Sequence, residues 1–166
     1  MSVKKKVPQK KPRFWEVKTL SEMTDHEWEA LCDRCGRCCL HKLEDIDTGE
    51  NHYTRVSCKL YDLHNLCCSN YPERLKQVPE CLHLRPVDLN IYRWLPKTCA
   101  YRRLSEGKNL LTWHPLISGQ QDSVVEAGIS IRNIAISETD IPPNPDWEEY
   151  VWEERVIRWV EIKEED

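Results

Sequence analysis

The segment Leu31–Leu43 reads "LCDRCGRCCLHKL" and places four cysteines, Cys32, Cys35, Cys38 and Cys39, within eight positions. Two residues between cysteines let the chain turn around one ion, so C-x-x-C spacing brings two thiolates to one metal. A C-x2-C-x2-C run with a distant fourth cysteine is also the ferredoxin-like arrangement for an iron–sulfur cluster. Cys32, Cys35 and Cys38 form the run. Cys58, Cys68, Cys81 and Cys99 are candidates for the distant partner, and Cys67 is the ninth cysteine. Spacing does not choose between zinc and iron, because both accept soft thiolate ligands. In an extended segment neighbouring side chains point to opposite faces, so the Cys38–Cys39 doublet suggests two adjacent metal sites or one polynuclear cluster.

Working outward, "TLSEMTDHEWEALCDRCG" has the pattern of a helix. Thr24 and Glu27 form a T-x-x-E capping box at its start. Trp28, Leu31, Cys32 and Cys35 fall at i, i+3, i+4 and i+7, one helical face, and Gly36 suits the left-handed position that closes a helix. On this reading Cys32 and Cys35 project from one side of the last turns. Asp33 reads as a surface or capping group. On the other side, "LHKLEDIDTGENHYTRVSC" predicts a β-hairpin turning at Asp47-Thr48-Gly49-Glu50, which would return Cys58 beside Cys38 and Cys39.

Further along, "CCSNYPERLKQVPEC" reads as loop, broken by Asn70, Pro72 and Pro79. "PVDLNIYRWL" predicts a short helix with Val87, Ile91, Trp94 and Leu95 on its apolar face. "CAYRRLSEG" adds helical turns closed by Gly107. "GISIRNIAIS" predicts a strand from its isoleucine content and alternation. "PPNPDW" at 142–147 is a linker signal, and Trp152, Val156, Trp159 and Val160 fit one face of a helix in the tail, although "RVIRWVEI" alone also suits a strand. His41 reads as an exposed strand residue and His114 as a packed loop residue, each with a smaller claim as an imidazole ligand.

The bulk properties set the class. The chain has 166 residues, 40% hydrophobic and 31% charged, with seven Trp and one Phe. That length suits one domain. No apolar run approaches the roughly 20 residues of a transmembrane helix, and the basic start "MSVKKKVPQKKPRFW" lacks the apolar core of a secretory signal. A bacterial-type, reducing cytoplasm is therefore expected. There, nine cysteines, an odd number, indicate metal or redox chemistry rather than a disulfide framework. Residues 1–13 carry six positive charges and no acid, whereas Asp146 to Asp166 carry nine acids against three bases. The arm reads as solvated and disordered, and the net charge of −4 gives no support to a nucleic-acid surface. The chain contains no Gly-rich phosphate loop, G-x-S-x-G elbow or H-E-x-x-H motif, which argues against NTP hydrolysis, serine-hydrolase and zinc-protease chemistry by those routes.

The run Phe14–Glu50, then "VSC", "CSNY", "VPEC", "WLPKTCAYRRLSEGKNLLTWHPLISG" and "GISIR", resemble the YkgJ-type cysteine-cluster proteins over about Phe14 to Ile136. Their CxxCxxCC domain is described as zinc- or iron-chelating, and a related cluster occurs in flagellin lysine methylase proteins. The resemblance implies that Cys32, Cys35, Cys38, Cys39, Cys58, Cys68, Cys81 and Cys99 are the metal positions. One departure stands out: Leu66-Cys67-Cys68 replaces the C-x-C of the family, so eight thiols suffice and Cys67 is the odd one.

The sequence therefore predicts a small α+β domain of short helices and a β-hairpin, organised around a cysteine metal site. The basic arm spans 1–13, the metal-binding domain 14–140, and a Pro-rich linker with an acidic segment 141–166. The expected function is chelation of an iron–sulfur cluster, iron or zinc, with the metal ion or cluster as the partner, no membrane association and no identified protein partner. Two alternatives are an iron- or iron–sulfur-dependent redox or modifying enzyme, with Trp113 and His114 near an open metal position, and a protein of metal delivery or sensing.

Overall fold

In a computed structural model, which describes residues 11–85 and 88–152, the chain is α+β. The basic arm up to Lys10, Val87 of the predicted helix, and Val156, Trp159 and Val160 of the predicted tail helix lie outside the described residues.

The N-terminal third is built by local capping. Helix α1 (Phe14–Val17) and a 3-10 turn at Leu20–Glu22 lead to α2 (Asp25–Ala30). The predicted capping box is formed: Thr24 Oγ1 accepts from Glu27 N at 3.2 Å, and Glu27 Oε2 accepts from Thr24 N at 2.9 Å. Helix α2 ends at Ala30, however, short of the cysteines. The Asp33 carboxylate accepts the Cys35 N–H at 3.0 Å, and Arg34 and Gly36 both take left-handed φ values, 61° and 79°. A side chain that offers the backbone this alternative partner competes with helix propagation. Cys32 and Cys35 therefore sit on a loop rather than on a helical face. Gly36 is left-handed as predicted, but it opens the next turn, a 3-10 element at Arg37–Cys39, instead of closing α2.

The hairpin forms as the sequence indicated. Strand β1 (Leu40–Glu44) pairs antiparallel with β2 (Asn51–Ser57), with an irregularity between Leu40 and Lys42. Asp45 Oδ1 accepts from Asp47 N and Thr48 N at 2.8 and 2.9 Å and so pins the turn. The "GISIRNIAIS" segment is a strand only at β5 (Ile136–Ser137), parallel to β2. Its earlier isoleucines are core residues of an irregular loop. Ile129 and Ile131 are buried, and Ile131 N donates to Cys35 O at 2.9 Å. Alternation there reports burial, not extended backbone.

The "CCSNYPERLKQVPEC" segment holds more structure than loop. Strands β3 (Tyr61–Asp62) and β4 (Cys67–Cys68) pair antiparallel, and α3 (Arg74–Gln77) follows. Helices α4 (Leu89–Tyr92) and α5 (Ala100–Ser105) come next, α5 followed by left-handed Gly107 as expected. Helices α6 (Pro115–Ser118) and α7 (Ser123–Glu126) complete the set. The end of the described chain packs on the hairpin: Val151 bridges Thr54, Trp152 N donates to Tyr53 O at 2.8 Å, and the Trp147 ring lies 4.9 Å from that of His41.

Three apolar clusters result. The largest joins Trp15, Leu20, Trp28, Leu31, Tyr92, Leu95 and Tyr101, with Cys99 packed against it. Within it, Tyr101 Oη donates to Trp28 O at 2.8 Å, tying α5 to α2. The second holds Leu40, Tyr61, Leu66, Ile131 and Trp152, with Cys39 at its edge. The third is Cys35 itself with Val124 and Ile129. Each cluster thus carries one cysteine of the sequence motif set.

Candidate metal centre

A cavity of about 880 Å³ lies among these clusters, and Cys32, Cys35, Cys38, Cys39, Cys58, Cys68, Cys81 and Cys99 all line it. These are the eight positions expected from the sequence. Six stretches of chain deliver them. The loop after α2 supplies Cys32 and Cys35, and the 3-10 turn supplies Cys38 and Cys39. Cys58 follows β2, Cys68 lies on β4, Cys81 follows α3, and Cys99 is the N-cap of α5.

Local geometry explains both cysteine doublets. Cys67 and Cys68 are neighbours on a strand, so their side chains leave opposite faces; Cys68 lines the cavity and Cys67 does not. Cys38 and Cys39 sit on a 3-10 turn, not on the extended backbone assumed from sequence. There, both face the same cavity and their thiols share a hydrogen bond. Gly36 makes the turn possible. A Cβ at this position would lie 2.6 Å from Tyr61 Cζ and Oη and 2.7 Å from Ile131 Cδ1, and its φ belongs to the region that glycine adopts at no steric cost.

The surroundings favour the neutral state for six of the cavity thiols and the ionised state for Cys38. Cys32 and Cys38 are exposed, because the cavity admits water to the wall they form, yet protein surrounds them. Burial, with the Asp33 carboxylate next, pushes the Cys32 thiol up to about 12. Burial likewise drives Cys35 and Cys99 well above the usual thiol range. The hydrogen bond shared with Cys38, and then burial, does the same to Cys39. At the rim, burial raises Cys58 and Cys81 less strongly. Cys38 alone is lowered, to about 7, by the Cys39 thiol and by the ammonium of Lys42. That ammonium is itself fixed beneath the turn, donating to Cys38 O and Leu40 O at 2.9 Å each.

The histidines resolve differently from one another. His114 is 3% exposed and both its ring nitrogens are engaged: Nδ1 accepts from Leu116 N at 3.1 Å, and Nε2 donates to Leu31 O at 2.8 Å. It caps α6 and does not line the cavity, so it is packed as the sequence suggested. His41 lies on β1 at the cavity wall, with Nε2 bonded to Glu138 Oε2. Asp33, read from sequence as a surface or capping group, is buried and faces the cavity. Its burial was missed because the cysteine-rich stretch was read as one helical face.

The donor set fits a thiophilic metal: eight thiols in one cavity suit zinc, iron or iron–sulfur chemistry. Among the described residues no three Cys, His, Asp or Glu side chains stand at mutual ligating distance. Drawing the donors together therefore requires adjustment of the loops that carry them.

Comparison with known proteins identifies the family. The profile of the CxxCxxCC family, "Putative zinc- or iron-chelating domain", matches residues 31–100, a span that holds every cysteine of the chain. A UPF0260 protein of Gluconacetobacter diazotrophicus is 53% identical over 132 residues, 80% of this chain and 82% of that protein. One from Mesorhizobium japonicum is 50% identical over 139 residues, 83% of this chain and 94% of its own length. One from Marinobacter nauticus is 48% identical over 147 residues, 89% and 95% respectively. No solved structure matches the chain. The chain belongs to the UPF0260 family, whose CxxCxxCC domain it contains.

Proposed function

We propose that this member of the UPF0260 family holds a polynuclear metal centre, an iron–sulfur cluster or a pair of iron or zinc ions, on the eight cavity cysteines. The observation that carries the reading is the convergence of all eight on one cavity while Cys67, their neighbour, faces away. Eight thiolates exceed the four that complete one zinc tetrahedron, so a single ion would leave half of them without a role. A bound centre would supply the positive charge that allows these buried thiols to ionise, and clusters of this type also carry electrons. The chain's own contribution is the cradle. Gly36 lets the turn approach Tyr61, Lys42 holds that turn by its carbonyls, and the paired strands place Cys58 and Cys68 opposite it. The nine cysteines are all free thiols, which suits the reducing conditions of the cytoplasm. Among the described residues no helix is long and apolar enough to cross a membrane.

Anaerobic purification followed by elemental analysis, acid-labile sulfide determination and a visible spectrum of one sample tests the reading. Iron with sulfide and a brown charge-transfer band identifies a cluster, whereas two equivalents of colourless zinc identify a pair of structural ions. Protein that carries less than one equivalent of either metal, and takes up none on reconstitution, overturns it.

A further inference from the structure

The cavity holds one group that the cysteine motif does not account for. Asp33 is 6% exposed and lines the cavity wall between Cys32 and Cys35. It is the only buried carboxylate among the described residues. Its Oδ1 accepts the Cys35 N–H at 3.0 Å. No donor or cation among the described residues reaches Oδ2. Asp33 shares the cavity wall with the Lys42 ammonium, and a cation bound in the cavity would further offset the cost of enclosing a carboxylate there. The Arg37 guanidinium feels the Asp33 charge but makes no hydrogen bond to it. Arg37 Nε donates to Ile129 O at 2.7 Å, its guanidinium lies over the Trp152 ring, and it does not line the cavity. The other acids on the wall are differently placed: Glu29 accepts from Tyr71 Oη at 3.2 Å, and Glu80 lies on the exposed segment beside Cys81.

We propose that Asp33 is an oxygen donor to the metal centre, which makes the donor set mixed sulfur and oxygen rather than thiolate alone. This rests on the metal-binding reading above and extends it to a residue outside the cysteine motif. A carboxylate oxygen is a harder donor than a thiolate. It therefore suits iron or zinc over copper(I), and the metal it binds has a coordination position distinct from those closed by sulfur.

The test is an anaerobic titration of the full-length chain with cobalt(II), read through its visible d–d and thiolate charge-transfer bands. It compares the wild-type chain with Asp33→Asn and Asp33→Cys. Asn keeps the size and the acceptor for the Cys35 N–H but loses the anionic donor; Cys replaces oxygen by sulfur. The expected result is at least a tenfold loss of affinity and shifted d–d bands in Asp33→Asn. In Asp33→Cys, affinity should return with added charge-transfer intensity. Superimposable titrations and spectra for wild type and Asp33→Asn overturn the Asp33 assignment and leave the cysteine site standing. If Asp33→Asn does not fold, an Asp33→Cys spectrum without added charge-transfer intensity overturns the assignment in its place. A wild-type chain that takes up neither cobalt nor iron overturns the metal reading itself.

Discussion

The backbone N–H of Cys58 donates to the carbonyl of Cys39 at 2.8 Å. This bond extends the β1–β2 ladder one step past Leu40 and Ser57, so the hairpin closes with a cysteine on each strand end. The turn at Asp45 to Glu50 thereby sets how far the motif cysteines stand from the first of the distant ones.

Gly36→Ala is expected to destabilise the chain and to lower its metal content. The left-handed backbone costs a non-glycine residue about 1–2 kcal/mol, and forcing the new methyl against Tyr61 and Ile131 adds roughly 1–3 kcal/mol. Thermal melts read the first effect and elemental analysis the second. A variant with unchanged melting and full metal content would show that the Tyr61 contact at 2.6 Å does not constrain the turn.

The cysteines should divide by position. Cys67→Ser keeps full metal content, because its side chain leaves the face of β4 opposite the cavity. Cys35→Ser loses metal and melts earlier even without metal, since Cys35 packs with buried Val124 and Ile129 and a hydroxyl buried there costs about 1–3 kcal/mol. Cys81→Ser loses metal with little effect on the metal-free melt, because Cys81 is only partly buried. Equal metal loss in the Cys67 and Cys68 variants would contradict the strand assignment.

Stability of the metal-free, reduced chain should fall as pH rises above about 8.5, the ordinary value of a free thiol. In the folded state Cys35, Cys39 and Cys99 keep their protons well above that value, whereas the unfolded chain releases them. The unfolded state then binds fewer protons, so unfolding becomes easier with pH. Cys38, held at about 7 by the Cys39 thiol, acts in the other sense and adds stability between about pH 7 and 8.5. Metal binding needs deprotonated thiols, so affinity weakens on acidification instead. Urea melts across this range, with chelator and then with metal, should show the two opposite slopes.

His114→Ala is expected to cost roughly 2–4 kcal/mol through the lost packing and the two hydrogen bonds of a buried ring, with metal content unchanged. Urea melts and elemental analysis of one preparation separate the two readouts. Lost metal at unchanged stability would return the imidazole to the ligand set.

The elements legible from sequence were those with local causes. The Thr24–Glu27 box, the hairpin turn at Asp47-Thr48-Gly49-Glu50 and the Gly107 closure each depend on residues within a few positions of the backbone they fix. The eight proposed ligand positions came from the spacing of the motif and its resemblance, and all eight line one cavity. What was not legible depended on distant contacts. Helical spacing carried the first helix through Cys35, but Asp33 and two left-handed residues divert the chain. Isoleucine alternation indicated a strand where Ile131 instead docks on Cys35 O and fills the core. Asp33 looked like a surface residue because nothing near it in sequence encloses it; the enclosing walls come from the hairpin, the segment after α3 and α5.

The three apolar clusters each present one cysteine to the cavity, so no single one of them forms a continuous centre for the chain. The space between them is a seam. Without a bound centre, amide protons along Cys32–Cys39 should exchange earlier than those of β2, because the seam lacks continuous packing. If the proposed centre binds there, its thiolate bonds would couple the three clusters to one another. A single melting transition in the loaded chain, against a broader one without metal, is the expected sign of that coupling.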